Sequence, residues 1–148
     1  SIKLETDNIK KAKILYKIAF KFKNSRQYTK SRNYARQALK FQPSMGRAYL
    51  LIANMYAASA NNCGQSEFEK RAVYWLAEKE ALKAANIDPS IRKKALRTAE
   101  SYKGRAPSKT DIFTEGNCFK PSLGIILIST FPSFFSLSNF KVSVETGF

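Results

Sequence analysis

The 148-residue chain contains no histidine. That removes the commonest metal ligand and the commonest general acid–base group. Cysteine is nearly absent as well. Cys63 and Cys118 lie 55 positions apart, outside any CxxC pair, so a metal site is not expected. They read either as two free thiols or as one disulfide, and the disulfide needs an oxidising compartment. Neither a GxxxxGK[ST] loop nor a GxSxG turn is present. Glu78 and Glu80 sit two apart on a helical stretch and face different sides, a poor arrangement for an acid–base pair. No catalytic residue, cofactor or metal is therefore expected, and the chain reads as non-enzymatic.

Acidic residues are scarce. Eleven Asp and Glu oppose 26 Lys and Arg, for a net charge of +15. Between Asn8 and Ser66 there is no acid at all, while Lys10, Lys11, Lys13, Lys17, Lys21, Lys23, Arg26, Lys30, Arg32, Arg36, Lys40 and Arg47 fall in that window. Charge of that sign attracts nucleic acid, anionic membrane or acidic proteins, and does not by itself specify a fold. Residues 1–20 show no secretory signal, because lysines interrupt the apolar run. The first residue is Ser1, so a processed chain or a piece of a longer one is expected.

What the sequence does have is internal repetition. Leu15-x-x-Ile18-Ala19-x-x-Phe22 recurs 34 residues later as Tyr49-x-x-Ile52-Ala53-x-x-Tyr56, and returns weakly as Ala95-x-x-Thr98-Ala99-x-x-Tyr102. Ala35, Ala38 and Pro43 recur 46 residues later as Ala81, Ala84 and Pro89. The longer shift implies a 12-residue insertion, SANNCGQSEFEK, between the two helices of the second unit. Asn61, Asn62 and Gly64 mark a turn there, and Ser66-x-x-Glu69 is a capping-box pattern that opens a long helix, expected to project beyond its neighbours. Pro43 and Pro89 each break the chain between units. Ala19, Ala53, Ser31, Ala35, Ala38, Ala77, Ala81 and Ala84 are read as the small residues at close helix crossings. Phe22 and Tyr56 are read as filling the gap between units.

These residues resemble the tetratricopeptide repeat (TPR) family, whose 34-residue unit is a helical hairpin. The resemblance implies an all-α fold: a short TPR-type solenoid with units 12–45 and 46–91 and a closing helix 92–104. Residues 1–7 resemble the last turn of a preceding repeat, which implies exposed apolar surface around Ile14, Leu15 and Ile18. The wording "AYLLIANMYAASANNCG", "FEKRAVYWLA" and "GRAPSKTDIF" looks like the carboxy-terminal repeats of longer bacterial TPR proteins that are often exported. That resemblance points to the cell envelope or the exterior rather than the cytoplasm, and in an exported parent Cys63 pairs with Cys118.

The tail, 105–148, changes character. Seven of the eleven phenylalanines lie in 113–148, and 121–139 carries no charge. Its aromatic, serine-rich run departs from the resembling group. It reads as short β segments covering the end of the array or as a disordered, non-native extension. It is about long enough to span a bilayer, but Pro132 and the serines argue against a span.

The function expected from the resemblance is a protein-interaction scaffold holding a peptide or helix, acidic by charge complementarity, in a groove. By the repeat positions the groove residues are Lys13, Tyr16, Lys17, Phe20 and Lys23 from unit one, with Arg47, Leu50, Leu51 and Asn54 from unit two. Leu50 and Leu51 read equally as core. A carboxylate clamp needs Lys and Asn where Tyr16 and Phe20 stand, so it is not expected. The alternative function is nucleic-acid or polyanion binding through the basic 10–47 region, with Tyr16 and Phe20 stacking on bases.

Overall fold

A computed structural model describes residues 2–108. Among them are five α-helices and no strand: α1 (Ile2–Asn24), α2 (Tyr28–Phe41), α3 (Gly46–Ser59), α4 (Glu67–Ile87) and α5 (Arg92–Lys103). Each helix packs on the next. The pairing of contacts runs in reverse order along α1 and α2: Phe22 stacks on Tyr34 and Lys11 lies over Phe41, so the two are antiparallel. The same holds for α4 and α5, where Tyr74 meets Tyr102 and Arg71 reaches the carbonyls of Arg105 and Ala106.

The helix boundaries follow from local chemistry. α1 ends where Arg26 enters the left-handed region (φ 56°), and the Gln27 N–H closes back on the Phe22 carbonyl at 2.9 Å. α2 and α4 stop two residues before Pro43 and Pro89, and the intervening Gln42 and Asp88 are extended, as a residue before proline prefers. The Asp88 carboxylate accepts from Ser90 N at 3.0 Å and starts the 3-10 turn Pro89–Ile91. The insertion folds as a second 3-10 turn, Ala60–Asn62, and a loop into α4. There the capping box forms: Ser66 Oγ accepts from Glu69 N at 3.1 Å, and Glu69 Oε2 accepts from Ser66 N at 3.2 Å.

Three expectations are corrected. No turn separates residues 1–7 from the remainder of the first helix: α1 is continuous from Ile2, because nothing in that stretch breaks a helix. Leu4 and Ile14 are exposed on it, whereas Leu15 and Ile18 are half-buried. The amino-terminal turns of α4 do not project freely. Phe68, Ala72 and Trp75 pack with Ala106, and Arg71 Nη2 holds the Ala106 carbonyl at 3.1 Å, so the packed unit runs past Gly104 to Pro107. Phe22 packs within its own hairpin, while Tyr56 meets the core clusters of both. The readings of the tail beyond 108 lie outside the described residues, as does Cys118. Cys63 is half-buried in the loop before α4.

Small side chains set the helix spacing. Ala19, Ser31, Ala35, Ala38, Ala53, Ala77, Ala81 and Ala84 are all 0% exposed. Gly46 opens α3 against the end of α4, where a Cβ would lie 2.3 Å from Asp88 Cβ. Gly46→Ala should therefore destabilise by about 1–3 kcal/mol. Gly104→Ala, whose Cβ would meet nothing closer than 3.7 Å, should not; thermal denaturation of the pair checks this. Ser31 carries a buried hydroxyl without a hydrogen-bond partner, at the position where the second hairpin has Ala77. Ser31→Ala should raise the melting temperature, because an unsatisfied buried hydroxyl costs about 1–3 kcal/mol.

Candidate functional site: a basic cleft along three helices

Helices α1, α3 and α5 share one side of the molecule, and a cleft of about 360 Å³ opens between them. Its floor is apolar. Leu50 (7% exposed) and Leu51 (3%) belong to the two core clusters and turn only their edges to the opening, so the core reading of this pair holds. Tyr16 and Phe20, one turn apart on α1, form one wall, and Ile91 closes the far side. Phe20 is 42% exposed, and Lys23 Nζ lies 4.8 Å from its ring centroid. Arg47 and Lys94 complete the rim.

A second, wider cleft of about 910 Å³ continues along α5, lined by Lys93, Arg97, Thr98, Ser101, Tyr102 and Arg105 among others. Asn54, Ile91 and Lys94 line both, which makes the two one continuous trough. At the junction the Tyr102 hydroxyl donates to Asn54 Oδ1 at 2.6 Å. With Oδ1 engaged, the Asn54 amide has its N–H donors left for a ligand. No carboxylate lines either part among the described residues, and every charged side chain that does is basic.

The two tyrosines stay neutral there. Burial holds the Tyr16 phenol above its ordinary 10.0, with Arg47 partly opposing, and burial raises Tyr102 in the same way against Arg105. Both therefore act as hydrogen-bonding and apolar surface rather than as anions. Glu78, whose carboxyl burial also raises against a counteracting Lys103, lines neither part of the trough.

Seven of the nine residues expected in a groove meet in the first cleft: Tyr16, Phe20, Lys23, Arg47, Leu50, Leu51 and Asn54. Lys13 and Lys17 do not. They are exposed on α1 and line neither cleft, because the helix turns them past the rim. Tyr16 packs on the core, while Phe20 keeps exposed surface with Lys23 over one face of its ring. The contribution of α5 was missed. A signal existed: carrying Arg47 and Leu51 forward by the 46-residue shift reaches Lys93 and Arg97. Tyr102 is the 46-residue counterpart of Tyr56, a packing position rather than a groove one; Ile91 and Lys94 had no such signal, since only the packing of α5 beside α3 brings them in.

Comparison with protein-family models, with curated proteins and with solved structures finds no match to this chain.

The raised Tyr16 value has a consequence for stability. The neutral phenol is favoured in the folded state, so its contribution is complete below the unfolded value near 10 and is lost as pH rises through the folded value. Tyr16→Phe should thus melt like the wild type at pH 8 and lose less stability than the wild type between pH 10 and 11. Melting curves across that range check it.

Proposed function

We propose that this chain is a non-catalytic protein-interaction scaffold of the tetratricopeptide repeat kind, and that its trough holds an acidic peptide or helix with an apolar anchor. One observation carries the reading: seven residues chosen from the repeat positions line a single cleft whose charged members are all basic. The aromatic and aliphatic end accepts the anchor, and the rim of Lys23, Arg47 and Lys94 attracts the acidic part. Anchors that leave water at such a site supply most of the affinity, about 1–2 kcal/mol or more each. Rim charges mainly speed encounter and make it salt-dependent.

The test is a displayed peptide library panned against the chain, followed by binding kinetics on the enriched peptides. Phe20→Ala should weaken binding by about 1–2 kcal/mol, mostly through the off-rate. Arg47→Gln with Lys94→Gln should lower the on-rate and flatten its salt dependence. Lys13→Gln with Lys17→Gln should leave both nearly unchanged. Peptides whose binding ignores Phe20, Arg47 and Lys94 alike would overturn the reading.

A further inference from the structure

Five cations of the amino-terminal half lie on aromatic rings. Lys11, Lys23 and Lys30 lie over the rings of Phe41, Phe20 and Phe22, and Arg32 and Arg36 lie against Tyr56. Arg36 also donates to the Tyr56 hydroxyl, and Arg32 Nη1 to Ser59 Oγ at 3.3 Å. Each is held against the fold, Lys23 at the rim of the first cleft. Lys10, Lys13, Lys17 and Lys21 are different. All four are exposed on α1, and none has an ion pair, a side-chain hydrogen bond or a ring contact among the described residues.

At 100° per residue the four fall within an arc of about 80°. At 1.5 Å per residue they extend about 16 Å along the helix. They are spaced three and four residues apart, so each repels the next. Asp7, three residues before Lys10, is the one carboxylate within a turn of the stripe, and none follows it before Glu67. A side-chain arrangement of this kind gains most from a partner that brings closely spaced negative charge.

We infer that this outer face of α1 is a second binding surface, distinct from the trough, that lies against the phosphate backbone of a nucleic-acid duplex. The make-up of the stripe selects that partner. Its arc holds no aromatic ring, and the flanking Phe20 lines the first cleft with Lys23 over its ring, so the stripe itself offers no platform for unstacked bases of a single strand. Its cations are ammonium groups, which contact phosphates and do not read base edges bidentately, so binding is independent of sequence. Between Lys10 and Lys21 the large exposed apolar residues are Ile14 and Phe20, one on either flank of the stripe, which do not form the continuous apolar side a helix buries in a membrane interface. A duplex supplies one negative charge per roughly 1.7 Å of axis, denser than the stripe's positive charge, and each lysine that meets a phosphate releases counterions.

Fluorescence anisotropy with a labelled 20-base-pair duplex of scrambled sequence, over a series of salt concentrations, tests this. Four phosphate contacts contribute about −3.6 to the slope of log affinity against log salt. Replacing Lys10, Lys13, Lys17 and Lys21 together by Gln, a comparable helix former, should remove about that much of the slope and weaken binding at least tenfold at low salt. Circular dichroism establishes that the variant is folded. Arg47→Gln with Lys94→Gln serves as the control and should bind the duplex as the wild type does. Three results would overturn the proposal: equal duplex affinity in the folded stripe variant and the wild type, an equal loss in the trough control, or stripe-dependent binding to phosphatidylserine–phosphatidylcholine vesicles with none to the duplex. Each leaves the peptide-binding reading of the trough standing, since that rests on different residues.

Discussion

Everything in the described structure depends on how closely its helices approach. Where α1 meets α2 and α3 meets α4, alanines and one serine with no exposed surface stand at the closest approaches, and at Gly46 there is no side chain at all. Backbones this near gain dispersion contacts along their length and tolerate almost no added volume. Large residues pack beside these crossings, Ile52 and Met55 wholly inside the core and others at its edges. Tyr16, Phe20, Leu50 and Leu51 collect on one side, and Tyr34, Tyr28 and Tyr56 fill around the second core cluster. The trough is where aromatic and aliphatic groups at those edges meet solvent.

Charge is distributed by a similar logic. In α4, acids and bases alternate, and Glu67–Lys70 and Glu80–Lys83 pair along the helix at 2.9 and 3.3 Å. Such exposed pairs add little to stability. In α1 and α2 there are no acids to pair with after Asn8, so cations find aromatic faces, the rim of the trough, or water. The fold thereby presents positive charge in two settings. In the trough it is mixed with apolar surface and the donors of Asn54. On the outer stripe of α1 it stands almost alone.

The closing segment ties the two ends of the second hairpin together. α5 brings Tyr102 to Asn54 in the trough and then, after Lys103, the chain turns onto α4, where Arg71 holds the carbonyls of Arg105 and Ala106. The Phe68–Trp75 pair, edge to face at 6.1 Å, sits under that turn. One short helix thus finishes both the trough and the far end of the packed unit.

The helical class, the small-residue crossings, the two proline breaks, the capping box at Ser66 and most of the first cleft were legible in the sequence. These features are local or periodic. A proline acts on its own neighbours, a cap reaches three residues, and an alanine at a 34- or 46-residue shift reports the same crossing twice. Seven of the residues that line the first cleft could be read from the sequence because they lie on two helices whose phase the repeat specifies. What the tertiary structure alone decided is non-local: that Lys13 and Lys17 clear the rim and join an outer stripe, that Leu50 and Leu51 are floor rather than free contacts, that Ile91 and Lys94 close the cleft, and that residues 105–107 cover the start of α4. Each depends on the angle and depth at which one helix seats on another. That is set by the summed packing of many side chains, and no single stretch of sequence carries it.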